Sequence, residues 1–113
     1  GGPAVMSLRS QPFASDITNP SLARLAVQIA PAVKSTAIDV GAGDLVSSVS
    51  RDGGTTFTPA TLSLVETLAD GSAIYEGFVD ISGQPAGSSM VYRHVTANGK
   101  DVRISGTIMQ WRA

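Results

Sequence analysis

A chain of 113 residues with a net charge of −1 fits one domain and carries no block of basic residues to suit nucleic acid or an anionic membrane. The absence of cysteine excludes disulfides, thiolate metal sites and cysteine nucleophiles, and no apolar run approaches the roughly 20 residues that a membrane-crossing helix needs. Residues 1–5, GGPAV, read as a linker or cloning scar ahead of a single domain over 6–113.

The first clear element is ARLAVQI (23–29), in which Ala23, Leu25, Val27 and Ile29 alternate with Arg24, Ala26 and Gln28. That period of two turns one face of a strand to a core. NPSLARLAVQIA offers a helix as the alternative, entered at Asn19 with Pro20 in its first position. TAIDV (36–40) and DLVSSVS (44–50) follow, short and β-branched, with GAG between them. ATLSLVE (60–66) sets Leu62 and Leu64 on one side. SAIYEGFVDIS (72–82), SMVYRHVT (89–96) and DVRISGTIMQW (101–111) complete the series, each bounded by Gly, Pro or Asn.

The turn residues predict three hairpins. Asn98-Gly99 suits a type I′ turn, whose two central residues both need positive φ, so strands 89–96 and 101–111 are expected to pair. Asp70-Gly71 predicts a second hairpin by the same logic, and RDGG (51–54) a third. About seven to eight short strands with a turn signal at each break describe an all-β, antiparallel sandwich of jelly-roll-like kind. The loop ISGQPAG (81–87) is a connection, because Pro85 lacks a ladder donor and Gly83 and Gly87 flank it.

SRDGGTTF (50–57) resembles the Asp box of sialidases, with Ser50, Asp52, Gly54, Thr56 and Phe57 in the fixed places. Its physics is local: the Asp carboxylate accepts backbone N–H bonds, the glycines supply positive φ, and the Phe ring packs beneath the turn. In families that carry it the box stabilises a hairpin away from the catalytic centre, and 113 residues cannot hold a propeller of several blades. A structural turn is therefore expected, with a turn-bound calcium held by Asp52, with or without Asp44, as the alternative; DVGAGD (39–44) lacks the dense oxygen ligands of a calcium loop. No other metal or cofactor is indicated.

Catalytic patterns are thin. His94 is the sole histidine and no G-x-S-x-G elbow accompanies it. Glu66 and Glu76 form a carboxylate pair of the glycosidase kind only if the Asp70-Gly71 hairpin brings them to one cleft; otherwise they are solvated. The expectation is a non-enzyme. Binding has better candidates, since sugar sites use an exposed ring with polar groups beside it, and Tyr75, Tyr92 and Trp111 are available. If Val91 and Val95 face inward, Tyr92 and His94 are exposed; the reverse buries Met90 and Tyr92. Trp111, beside Met109, reads first as core or a subunit contact and second as a ligand platform.

VSRDGGTTFTPATL and VDISGQPAGSSMVYRHVTANGKDVRISGTIMQW, within the span Met6 to Trp111, resemble a β-rich module near the C-termini of tailed-bacteriophage virion proteins such as tail fibres. The resemblance implies an extracellular virion component that binds a host-surface glycan or protein, or that joins other virion subunits or trimerises. It implies no catalytic residues. A small glycoside hydrolase is the distant alternative.

Overall fold

The computed structural model describes residues 7–30, 43–96 and 104–113. Among them lie nine strands and no helix: β1 (Ser7–Arg9), β2 (Phe13–Ala14), β3 (Leu22–Ile29), β4 (Leu45–Ser50), β5 (Thr58–Pro59), β6 (Ser63–Thr67), β7 (Ala73–Asp80), β8 (Ser89–Thr96) and β9 (Ile104–Arg112). They form two antiparallel sheets. One runs β1-β8-β4-β5, with β2 also on β8, and the other runs β6-β7-β3-β9. The all-β sandwich expected from the turn spacing is the fold; the strand number exceeds the expectation because β1, β2 and β5, of two or three residues each, are too short for periodicity to register. The 36–40 strand expected from TAIDV lies outside the described residues.

The helix offered for NPSLARLAVQIA is a strand, and its alternation explains why. Ala23, Leu25, Val27 and Ile29 are all buried, whereas Leu22, Arg24 and Gln28 on the other face are half-buried. A helix would scatter these apolar residues around its circumference. β3 sits between β7 and β9, so its inner face meets both sheets' contributions to the core: Ala23 and Leu25 pack with Val79, Val49, Met90 and Ile81. Burying each such aliphatic side chain contributes about 1.5–3 kcal/mol.

The expected pairing of strands 89–96 and 101–111 does not form. β8 has both of its edges occupied, by β4 on one side and β1 and β2 on the other, while β9 runs beside β3 in the opposite sheet. Turn chemistry at Asn98-Gly99, itself outside the described residues, is a local preference. It is outweighed by burial of one face of β9, where Met109 and Trp111 pack on one core cluster and Ile104 on another.

The Asp70-Gly71 hairpin does join β6 to β7, with a different turn. Only Gly71 has positive φ, at 88°, and the Leu68 N–H bonds the Ser72 carbonyl at 2.7 Å, which closes a three-residue loop. This is a type I turn followed by a left-handed residue rather than type I′. Asp70 is not at positive φ, and its carboxylate accepts the Ser72 N–H at 2.9 Å. On β6 a register shift between Leu64 and Glu66 leaves Leu64 exposed at the sheet edge although Leu62 reaches the core.

Candidate functional site

The RDGG turn carries β4 into β5, with Gly53 and Gly54 at φ 81° and 97°. Asp52 Oδ1 accepts the N–H groups of Thr55 and Thr56 at 3.1 and 2.9 Å and the Ser50 hydroxyl at 2.6 Å. Ser50 Oγ in turn accepts the Gly54 N–H at 3.0 Å. Burial alone would raise the Asp52 pKa, but the bonds from Ser50, Thr56 and Thr55 outweigh it and hold the carboxyl at about 2. The fixed positions Ser50, Asp52 and Gly54 thus do the turn-building expected of them, with Thr56 contributing its backbone. Asp52→Ala should cost about 1 kcal/mol in denaturant unfolding and leave ligand binding unchanged. Loss of binding at unchanged stability would contradict a purely structural turn.

Phe57 closes the box at a half-buried position. Its ring lies against arginine side chains, with the Arg93 guanidinium carbon 4.1 Å and that of Arg9 5.5 Å from its centroid. The residue with the most bonds in the box is Arg51, at a variable place in the pattern. It is buried, and its guanidinium donates to the carbonyls of Pro20 at 3.0 Å, Pro85 at 3.0 Å, Ser82 at 3.2 Å and Gln84. Gln84, also buried, accepts the Arg51 N–H at 2.8 Å and donates to the Val49 carbonyl at 2.8 Å and to Thr58 Oγ1 at 2.9 Å. The box therefore clamps the 81–87 loop. A Cβ at Gly87 would stand 2.4 Å from the Arg51 carbonyl, so the loop approaches as closely as only glycine allows. The ISGQPAG composition signals a loop, and nothing local to it signals this clamp.

The four expected ligand residues do not converge. Tyr92 and His94 face inward with Met90, the reverse of the exposed arrangement, because the Met90 face fills the space between sheets while Arg93 takes the outer face. His94 is 0% exposed, with Nδ1 2.7 Å from Ser47 Oγ in its own sheet and Nε2 3.0 Å from Thr107 Oγ1 in the other. Burial pushes its pKa down to about 4. A buried imidazole with a hydroxyl on each nitrogen is a cross-sheet tie, not a surface contact. Tyr92 packs against the same core and stacks on Phe13 at 6.5 Å; Tyr75 faces Val27 in the other sheet, beside a second core cluster.

Of the four, Trp111 lines a groove of the second sheet. The groove, of about 690 Å³, is lined by Leu22 and Arg24 of β3, Phe78 of β7 and Met109, Gln110, Trp111 and Arg112 of β9. Cross-strand register puts Phe78, Arg24 and Gln110 in one row on the outer face, followed by Asp80, Leu22 and Arg112. Phe78 is 59% exposed. Arg24 is held flat across the sheet: Nε donates to Glu76 Oε2 at 2.8 Å, Nη2 contacts the same oxygen, and Nη1 donates to Gln110 Oε1 at 3.1 Å. An apolar ring thus stands beside fixed polar groups, the arrangement of a shallow binding site. Trp111 was legible as a candidate; the register sets it opposite Ala23 on the core side, and Phe78 lines the same groove from the outer row.

Glu76 is engaged by Arg24, and Glu66 is exposed on edge strand β6 opposite Ile74, with neither lining the groove. Asp44 and Asp52 stand beyond opposite ends of β4, whose six residues alone span roughly 20 Å, too far to share a calcium ion. Among the described residues no cluster of His, Asp or Glu could hold a metal. Comparisons with family models, with curated proteins and with solved structures find no match to this chain.

Proposed function

We propose that this chain is a non-catalytic module of a tailed-phage tail appendage, exposed on the virion, and that it binds a host-surface glycan or protein through the groove at Phe78 and Trp111. The observation that carries the reading is the row of Phe78, Arg24 and Gln110 on an open sheet face, with Trp111 at its margin. A ring provides the apolar platform for a sugar face, and the braced guanidinium and amide supply direction without first having to be ordered. The resemblance of SRDGGTTF, VDISGQPAG and the closing ISGTIMQW to virion modules supplies the setting.

A screen of the purified chain on a glycan array, followed by titration of the best ligand, tests this. Phe78→Ala should weaken binding about tenfold or more while leaving the melting temperature unchanged, because that side chain is already exposed. Retained binding in both Phe78→Ala and Trp111→Ala, with the fold intact, would remove the groove from consideration. The second reading is assembly. Among the described residues β9 is a nine-residue edge strand, and Ile108 on its outer side is 58% exposed. Edges of that length are commonly covered by a neighbour. On that reading the chain self-associates, to a trimer for example, or packs on other virion subunits, and a strict monomer by light scattering at high concentration counts against self-association.

A further inference from the structure

We infer that the outer face of the first sheet carries an anion-binding site, formed by Arg9 and Arg93 over the ring of Phe57, that takes a carboxylate or phosphate group. The site is separate from the groove, which belongs to the second sheet, and the inference stands whether or not the groove binds a glycan.

Register brings the two arginines together. Arg9 on β1 and Arg93 on β8 are direct cross-strand partners, so both project from one face with their Cβ atoms about 5 Å apart. Like charges placed opposite each other normally destabilise a ladder. The Arg24–Glu76 ion pair involves neither of them, and among the described residues no carboxylate lies within ion-pair distance of Arg9 or Arg93. Phe57 compensates them in part, since both guanidiniums lie within cation–π reach of its ring. The Arg93 guanidinium lies over the face of the ring; its Nε is buried without a hydrogen-bond partner, and neither Nη bonds a described residue. Arg9 makes only long contacts, 3.4 Å from Nη2 to the carbonyls of Gly53 and Gly54. Those contacts tether it to the turn that Asp52 holds.

Two adjacent guanidiniums, one braced by a ring and the other tethered to a rigid turn, with donors left over, match an oxyanion that accepts from both. Planar forks suit carboxylate and phosphate oxygens because two parallel N–H···O bonds form at once. A bound oxyanion would relieve the Arg9–Arg93 repulsion, whereas a neutral sugar would not. On a glycan polymer the group would be a uronic-type carboxylate or a phosphodiester.

The test uses the full chain and three probes: glucuronate, inorganic phosphate and glucose, followed by NMR of the arginine Nε–H and Phe57 ring signals. Saturable shifts centred on Arg93, Arg9 and Phe57 are expected with glucuronate, phosphate or both, and which of them saturates names the source of the anion. Glucose should produce none, and the affinity should fall as salt is raised. Arg9→Gln, an exposed position, should weaken the anion at least about tenfold with the fold intact. Arg93→Gln should do the same, and circular dichroism separates lost binding from lost structure in that variant. Absence of saturation with both anions at tens of millimolar, equal shifts with glucose, or unchanged affinity in Arg9→Gln would overturn the assignment. A groove that binds no glycan would leave these results untouched.

Discussion

Arg51→Met should destabilise the chain by about 3–5 kcal/mol, a large share of the stability of a domain this size. The methionine fills much of the volume but removes every donor facing the carbonyls of Pro20, Ser82, Gln84 and Pro85. Those acceptors lie on the approach to β3 and in the 81–87 loop, which Arg51 ties to the end of β4. Water reaching them would require the loop to lift, which also exposes Ile81 and breaks the Gln84 bonds to Val49 and Thr58. Arg51→Lys should recover only part of the loss, since one ammonium cannot reach acceptors that a planar fork spans. Urea unfolding measures the effect, and limited proteolysis within 81–87 localises it. A change under about 1 kcal/mol for Arg51→Met would mean that the clamp is incidental.

The second large effect is acid sensitivity from His94. Its pKa lies near 4 in the folded chain against 6.5 in the unfolded one, because burial disfavours the charged ring. The depressed value means that the unfolded state takes up the proton first. The stabilisation is complete above about pH 7, declines as pH falls through 6.5 and is largely gone near 4. The loss comes to about 2 kcal/mol by pH 5 and about 3 kcal/mol by pH 4. Asp52 acts over a lower window: its carboxyl is held at about 2, so its contribution persists above 3.8 and fades as pH drops toward 2. The two are separable by comparing wild type with His94→Asn between pH 7.5 and 5, where most carboxylates stay charged. The variant should be less stable at pH 7.5 and show a flatter pH profile. Parallel profiles would refute the buried-imidazole account.

Both residues show where local pattern stops being informative. Arg51 occupies a variable place in the Asp-box pattern, and a charged residue next to a turn ordinarily points to water. It is buried because ISGQPAG, some thirty residues later, folds over it with its carbonyls turned inward. His94 was readable as inward or outward from its strand alone, since valines occupy the alternate positions on both sides of Arg93. The opposing sheet settles it by presenting Thr107 to Nε2 and room for Met90.

What the sequence by itself determined is what depends on near neighbours. Alternation in ARLAVQI set the buried face of β3, the Asp and glycines of SRDGGTTF set their own turn, and frequent turn signals set an all-β sandwich. The tertiary structure alone decided partners across long separations. It placed β9 beside β3 rather than β8, brought Phe78 and Arg24 into one row with Gln110, and set Arg9 opposite Arg93. The physical reason is that turn and strand preferences amount to about 1 kcal/mol each, whereas the choice between sheets moves a whole apolar strand face into or out of water.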